Sequence, residues 1–205
     1  MQILKDEVKQ AILEAASEEF YTTGYRNSSM RIIAQKADIT VGNLYHYFRN
    51  KESILDTLLA PVHEKLTSIV DHEIIPVDRI AAEDLRGFVM SEIEKIATIP
   101  VRQRREIVIL LKRSAGTKYE TVEEEIIRYL SDHILEHLSH EGLSTNGLEI
   151  TITARSIAAS FLESILHILQ MTEDESVILS AVRNVLYSKI SGFIQLIRLL
   201  KETQV

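Results

Sequence analysis

The sequence predicts an all-α fold of about nine helices, because its apolar residues recur at helical rather than alternating spacing. Only three prolines and seven glycines punctuate 205 residues, which favours long helices over a many-turned β fold. Apolar residues make up 45% of the chain, enough to build a core. There is no cysteine, which excludes disulfides and thiolate metal sites.

Val8, Ile12, Ala16 and Phe20 stand at i, i+4, i+8 and i+12, the inner face of a helix over Lys5–Thr23. Gly24 stops it in a left-handed conformation, with Tyr25 packing back on Phe20 as in a Schellman motif. Ser28 or Ser29 caps a second helix, whose inward stripe is Met30, Ile33, Ala34 and Ala37. Asp38-Ile39 makes a tight turn, aspartate being one of the few non-glycine residues that tolerates positive φ. Thr40 caps a third, short helix. Leu44 and Phe48 point inward there, and Val41, Gly42, Asn43, Tyr45, His46 and Tyr47 fall outside.

Two helices joined by a tight turn, the second short and exposed at its start, are the parts of a helix-turn-helix. Gly42 should cost about 1 kcal/mol against alanine in a helix interior. Its absent side chain suits a backbone that must come close to base edges. Thr40 and Asn43 offer hydrogen bonds to bases or phosphates. Ser28, Ser29, Val41, Tyr45, His46, Tyr47 and Lys51 complete the candidate DNA-contacting set, with Lys51 and the aromatic tips reaching phosphates. Charge agrees with this placement. Residues 1–52 carry seven Lys/Arg and seven Asp/Glu, so the whole net charge of −7 resides in residues 53–205. A field of that sign repels nucleic acid, and any DNA contact must come from the neutral N-terminal part.

The stretch "GYRNSSMRIIAQKADITVGNLYHYFRNKESIL" resembles the DNA-binding signature of the TetR/AcrR family of bacterial transcriptional regulators. The matching residues are Gly24-Tyr25, Ser28-Ser29, Ile33-Ala34, Ala37 to Thr40, Gly42 to Tyr45, Tyr47-Phe48, and Lys51 leading to Ile54-Leu55. Asp38 departs from the family's usual glycine in the turn. The resemblance covers about the first quarter of the chain. It implies a helix-turn-helix DNA-binding domain over residues 1–50 and a helical ligand-binding and dimerisation domain over residues 51–205. It also implies a homodimer on a palindromic double-stranded DNA operator, released by a small-molecule effector. A helical adaptor whose second domain binds a protein is the alternative.

Downstream, the segment from Lys51 to about His72 carries Leu55, Leu58, Leu59, Val62, Leu66 and Ile69. Pro61 inside it predicts a kink or break. Pro76 and Pro100 bracket a helix over about Ala82–Thr98, and another runs from about Arg102 to Ser114 before the Gly116 loop. "RQRR", Arg102 to Arg105, reads as a solvated helix start. Capping boxes at Thr121–Glu124, Asn146–Glu149 and Thr172–Glu175 start three more helices. The last two are apolar around most of their circumference and need cover on two sides. A two-fold four-helix interface supplies it, with Ile194 among the outward positions. Burial within one chain is the other solution.

Polar or soft groups stranded on apolar helices are candidates for effector binding: His63, Met90, Tyr129, His133, Glu163 and His167. Each equally suits a structural hydrogen bond. His133, His137 and His140 share one helical face, yet the His-Glu-x-x-His pattern is absent and the row reads as solvated or interfacial. No metal and no cofactor is expected. A nucleophile, an oxyanion-hole motif and a phosphate loop are all lacking, so an enzyme is not expected and no residue is assigned as catalytic. No apolar run reaches the ~18 residues of a membrane span, and "MQILKDEVKQ" lacks a signal-peptide core. A cytoplasmic protein with no membrane partner is the expectation.

Overall fold

A computed structural model describes residues 2–68 and 85–203. Among the described residues the chain is helical and without strands. In order the helices are α1 (Gln2–Asn27), α2 (Met30–Lys36), α3 (Val41–Tyr47), α4 (Lys51–Ser68), α5 (Leu85–Ile96), α6 (Thr98–Arg102), α7 (Arg104–Val108), α8 (Val122–His140), α9 (Leu148–Met171) and α10 (Glu175–Thr203). A π-helical turn, Ile109–Arg113, continues α7.

The chain divides into two compact units. The first comprises Met1–Leu66 and Gln103–Glu123; the second comprises Thr67–Arg102 and Glu124–Val205. The polypeptide therefore passes between units three times. α4 is not the sole covalent path between an N-terminal head and the rest.

In the first unit α1 is the organising helix. Ile12, Ala16 and Phe20 are fully buried, as their spacing predicts. Each large side chain among them contributes about 1.5–3 kcal/mol on burial. One side of α1 meets α2, and α7 with the π turn packs against it from later in the chain. Arg104 is buried there, its Nη1 donating to the Tyr21 hydroxyl at 3.1 Å. Ser17 Oγ donates to Glu106 Oε1 at 3.2 Å. The expectation that Arg102–Arg105 is a solvated helix start is thus wrong for Arg104. Its neighbours Ile107, Val108, Ile109 and Leu110 form an apolar face that carries it inward.

Other boundaries shift for local reasons. Gly24 has φ 77° and ψ 159°, so it interrupts the α1 helix at positive φ but extended ψ, not in the left-handed well. Phe20 and Tyr25 still pack, with ring centroids 5.8 Å apart. α4 runs unbroken through Pro61, which is exposed and simply omits one backbone donor. Ile54, Leu55, Leu59 and Val62 of α4 are buried. The single helix expected over Arg102–Ser114 is divided, with Gln103 between α6 and α7. Pro100 lies inside α6, in its first turn, where its missing N–H has no helical partner to lose. Ile69, His72, Pro76 and the expected helix start at Ala82 lie outside the described residues.

In the second unit α10 packs against α9, α5 and α6. The buried face of α9 is Ala154, Ala158, Leu162, Ile165, Leu166 and Leu169. Its cap is Gly147, with no side-chain acceptor, rather than Asn146. α10 is capped by Asp174 rather than Thr172: Asp174 Oδ1 accepts from Ser176 N at 2.9 Å and Val177 N at 3.2 Å. Thr172 Oγ1 serves the turn before it, accepting from Asp174 N at 3.1 Å. Ion pairs Arg183–Glu94 and Lys201–Glu141 tie α10 to α5 and to the end of α8.

By length and composition alone α9 and α10 could cross a membrane, a test that core helices also pass; neither holds an unbroken apolar run of ~18 residues, as the sequence reading has it. Ile194 is 4% exposed and belongs to the protomer's own core, not to an outward face. The outward apolar residues are instead Leu148, Ile152, Met171, Val177 and Leu199.

Candidate nucleic-acid interface

α2 and α3 are only seven residues each, too short to be stable alone. Side-chain caps and two anchoring lysines hold them. Ser29 adopts the extended conformation of an N-cap and its Oγ accepts from Ile32 N at 3.2 Å. Thr40 does the same for α3, accepting from Asn43 N at 3.1 Å. Between them Ile39 N donates to Ala34 O at 3.0 Å, and Asp38 takes φ 54°, the left-handed conformation expected of it. Leu44 is fully buried and Phe48 nearly so, which fixes the rotation of α3 about its axis.

That rotation leaves Thr40, Val41, Gly42, Tyr45 and His46 exposed, with Asn43 and Tyr47 half-buried at the edges. Gly42 sits in open space: a Cβ built on it would meet only Thr40 Oγ1, 4.0 Å away. Its backbone has no positive φ either. Nothing inside the protein requires glycine there.

Two members of the sequence-predicted set turn inward. Ser28 is buried and its Oγ donates to Tyr25 O at 2.7 Å. Lys51 Nζ donates to Tyr25 O and, at 2.8 Å, to Ser28 O, and lies 4.3 Å from the centre of the Tyr25 ring. Burial pushes its pKa below the ordinary lysine range, opposed by the nearby Glu19 carboxylate. Its ammonium satisfies the carbonyls at the α1–α2 junction, so Lys51 is a clamp on the motif.

Sequence reasoning missed the second clamp. Lys36 Nζ lies 2.8 Å from Glu18 and 3.2 Å from Glu19 on α1. The hydrogen bond from Lys36 holds the Glu18 carboxyl below its usual range and raises the lysine in return. Glu19 sits among buried residues of α1 at i−1 from Phe20, and that placement was its only signal. Asn50 was missed as well: its Oδ1 accepts from Ser53 N at 2.8 Å and starts α4. Arg31 and Arg49 are exposed cations beside α2 and α3 that the sequence reading left out.

The effector-binding candidates are divided between the two units. His63 is half-buried in the first unit, edge-on to Tyr119 at 5.9 Å. The other five belong to the second unit. There Met90 and His133 are half-buried, while Tyr129, Glu163 and His167 are exposed on the single chain. Glu163 and His167 each follow a buried leucine, Leu162 and Leu166, and that one-residue step turns them away from the core.

Residues 12–58 match the family model described as bacterial regulatory proteins, tetR family. The HTH-type transcriptional repressor KstR2 of Mycobacterium tuberculosis is 35% identical over 89 residues, a stretch covering 42% of each chain. A transcriptional regulator structure from Aquifex aeolicus superimposes with a TM-score of 0.53 at 20% identity, covering 86% of this chain and 96% of that one. A SmeT–triclosan complex does so with a TM-score of 0.50 at 21% identity, covering 90% of each. At these identities the structures speak for the fold alone. The family and the curated relative are DNA-binding transcriptional regulators, not enzymes.

Proposed function

We propose, from its membership through residues 12–58 of the tetR family of bacterial regulatory proteins, that this chain represses transcription by holding a palindromic DNA operator as a homodimer. Division of labour follows the sequence: residues 1–50 read DNA, and residues 51–205 pair the subunits and take a small-molecule effector that releases the operator. Gly42 carries this reading. It costs helix stability and no neighbour in the chain needs it, and its place at the exposed start of the second helix of a helix-turn-helix supports close approach of DNA there.

With α3 in the major groove, Thr40, Asn43 and the Gly42 backbone face base edges. Tyr45, His46 and Tyr47 reach the flanking phosphates with Ser29, Arg31 and Arg49. Two such helices must stand ~34–36 Å apart to meet successive turns of one DNA face. A C2 pair built on the exposed apolar positions of α9 and α10 provides that symmetry and covers those positions. Effector release requires a ligand that binds the DNA-incompetent arrangement better, since equal affinity for both shifts nothing. SmeT, a solved structure of similar fold, is captured with triclosan, and a small-molecule effector is proposed here by analogy with it.

Selection from a random duplex library tests the reading. The purified protein should enrich a two-fold palindrome, and a library left without sequence preference overturns the proposal.

A further inference from the structure

A pair of histidines on α8 is unused by the DNA-reading scheme. His133 and His137 are one helical turn apart, the spacing at which side chains on a helix become neighbours. Their Nε2 atoms are hydrogen-bonded to each other at 3.2 Å, one donating and one accepting according to tautomer, and their rings are nearly perpendicular, at 89°. Phe193 of α10 stands edge-on against His137, with centroids 6.0 Å apart, and holds that ring in place. We propose that His133 and His137 form a two-nitrogen chelate for a borderline divalent cation such as Cu2+ or Zn2+.

Geometry carries the proposal. Metal–imidazole bonds of about 2.0–2.1 Å place two nitrogens 3.2 Å apart at an angle of about 100–106° around the ion, near the tetrahedral value. The ion takes the place of the proton the two Nε2 atoms share in the metal-free chain, each ring then carrying its proton on Nδ1. Among the described residues no set of three or more His, Asp or Glu converges on a common centre, so water completes the coordination. His140 shares the helical face but lies a further turn's step along, and Glu141 is ion-paired with Lys201. Neutral imidazoles favour borderline ions over hard ones, so affinity should follow Cu2+ over Zn2+, with Mg2+ excluded.

Calorimetric titration of the full chain with Cu2+, Zn2+ and Mg2+ separately tests the site. The expected result is one Cu2+ or Zn2+ per chain and no Mg2+, with His133→Ala and His137→Ala each weakening binding at least tenfold. His140→Ala should leave it within about twofold. His137 packs on Phe193, so His133→Gln, read by circular dichroism for retained helix, keeps the test valid if His137→Ala misfolds. The absorption band of bound Cu2+ gives a second readout, expected in the nitrogen-ligated range and lost in His133→Gln. Failure of both metals to bind, binding unchanged in the His133 variants, or an equal loss in His140→Ala overturns the proposal.

Discussion

Helix α3 and the paired helices α9 and α10 both leave large side chains outside, and they do so in opposite chemical styles. At α3 and its cap the exposed set is Thr40, Val41, Gly42, Tyr45 and His46, and all but Val41 offer a polar group or a bare backbone. On α9 and α10 it is Leu148, Ile152, Met171, Val177 and Leu199, which offer only area. Polar groups in fixed positions discriminate among partners by hydrogen bonding. Apolar area favours removal from water without choosing among partners of similar shape. The support differs in the same way. α3 has 7 residues and depends on the Thr40 cap and on Leu44, whereas α9 has 24 and α10 has 29, long enough to bury a full stripe. A short helix held by single contacts suits a reading element, and a long helix with apolar residues outside suits a surface that awaits cover.

The largest effects should come from the single contacts on which α3 depends. Leu44→Ala removes a fully buried side chain and should cost about 2–5 kcal/mol, read as a lowered urea midpoint. An unchanged midpoint would show that α3 is not anchored by this residue. For the long helices, Ile152→Glu combined with Leu199→Glu should turn dimers into monomers by light scattering, with helical content retained. Ile194→Glu, buried in the protomer, should unfold it instead. If the double variant stays dimeric, the exposed apolar positions are not the interface and this half of the contrast fails.

Smaller effects sharpen the contrast. Asn43→Ala should lose about 1–3 kcal/mol of discrimination at particular base pairs while leaving stability near wild type. Uniform weakening on all sequences would move Asn43 to the backbone-contacting class. Thr40→Ala should cost about 1 kcal/mol of stability through the lost cap. The smallest effect should be at Asp174, whose carboxyl is held below its usual range by the Ser176 hydroxyl and the Val177 and Ser176 amides. Its contribution is present above the ordinary carboxylate pKa and fades as pH falls through the lowered value. Asp174→Asn should therefore flatten the acid limb of a stability–pH curve slightly.

Legibility in the sequence followed the range of the interactions. Thr40, Asp38, Leu44 and Phe48 were readable because each acts within a few residues: a cap, a left-handed turn, an i, i+4 pair. Lys51 was misread because its role depends on Tyr25 and Ser28, brought near only by the fold, and a lysine beside a DNA-reading helix looks like a phosphate contact. Arg104 was misread for the same reason, since Tyr21 is 83 residues away. Ile194 shows the limit of periodicity on a helix apolar all round, where spacing cannot say which apolar stripe faces inward. Glu163 and His167 show it for sites, because a polar residue interrupting an apolar run is as easily outside as in a cavity.

Gly42 gives the most direct test of the central claim that α3 is shaped by a partner outside the chain. Gly42→Leu adds a side chain in open space and replaces the poorest helix former short of proline, so stability should rise by up to about 1 kcal/mol. The same substitution should lower affinity for the wild-type-selected operator at least tenfold, measured by fluorescence anisotropy on the same preparation. A stabilised protein that has lost its operator is the predicted result. Operator affinity unchanged in Gly42→Leu would contradict the account, since a glycine the fold does not need would then not be needed by DNA either.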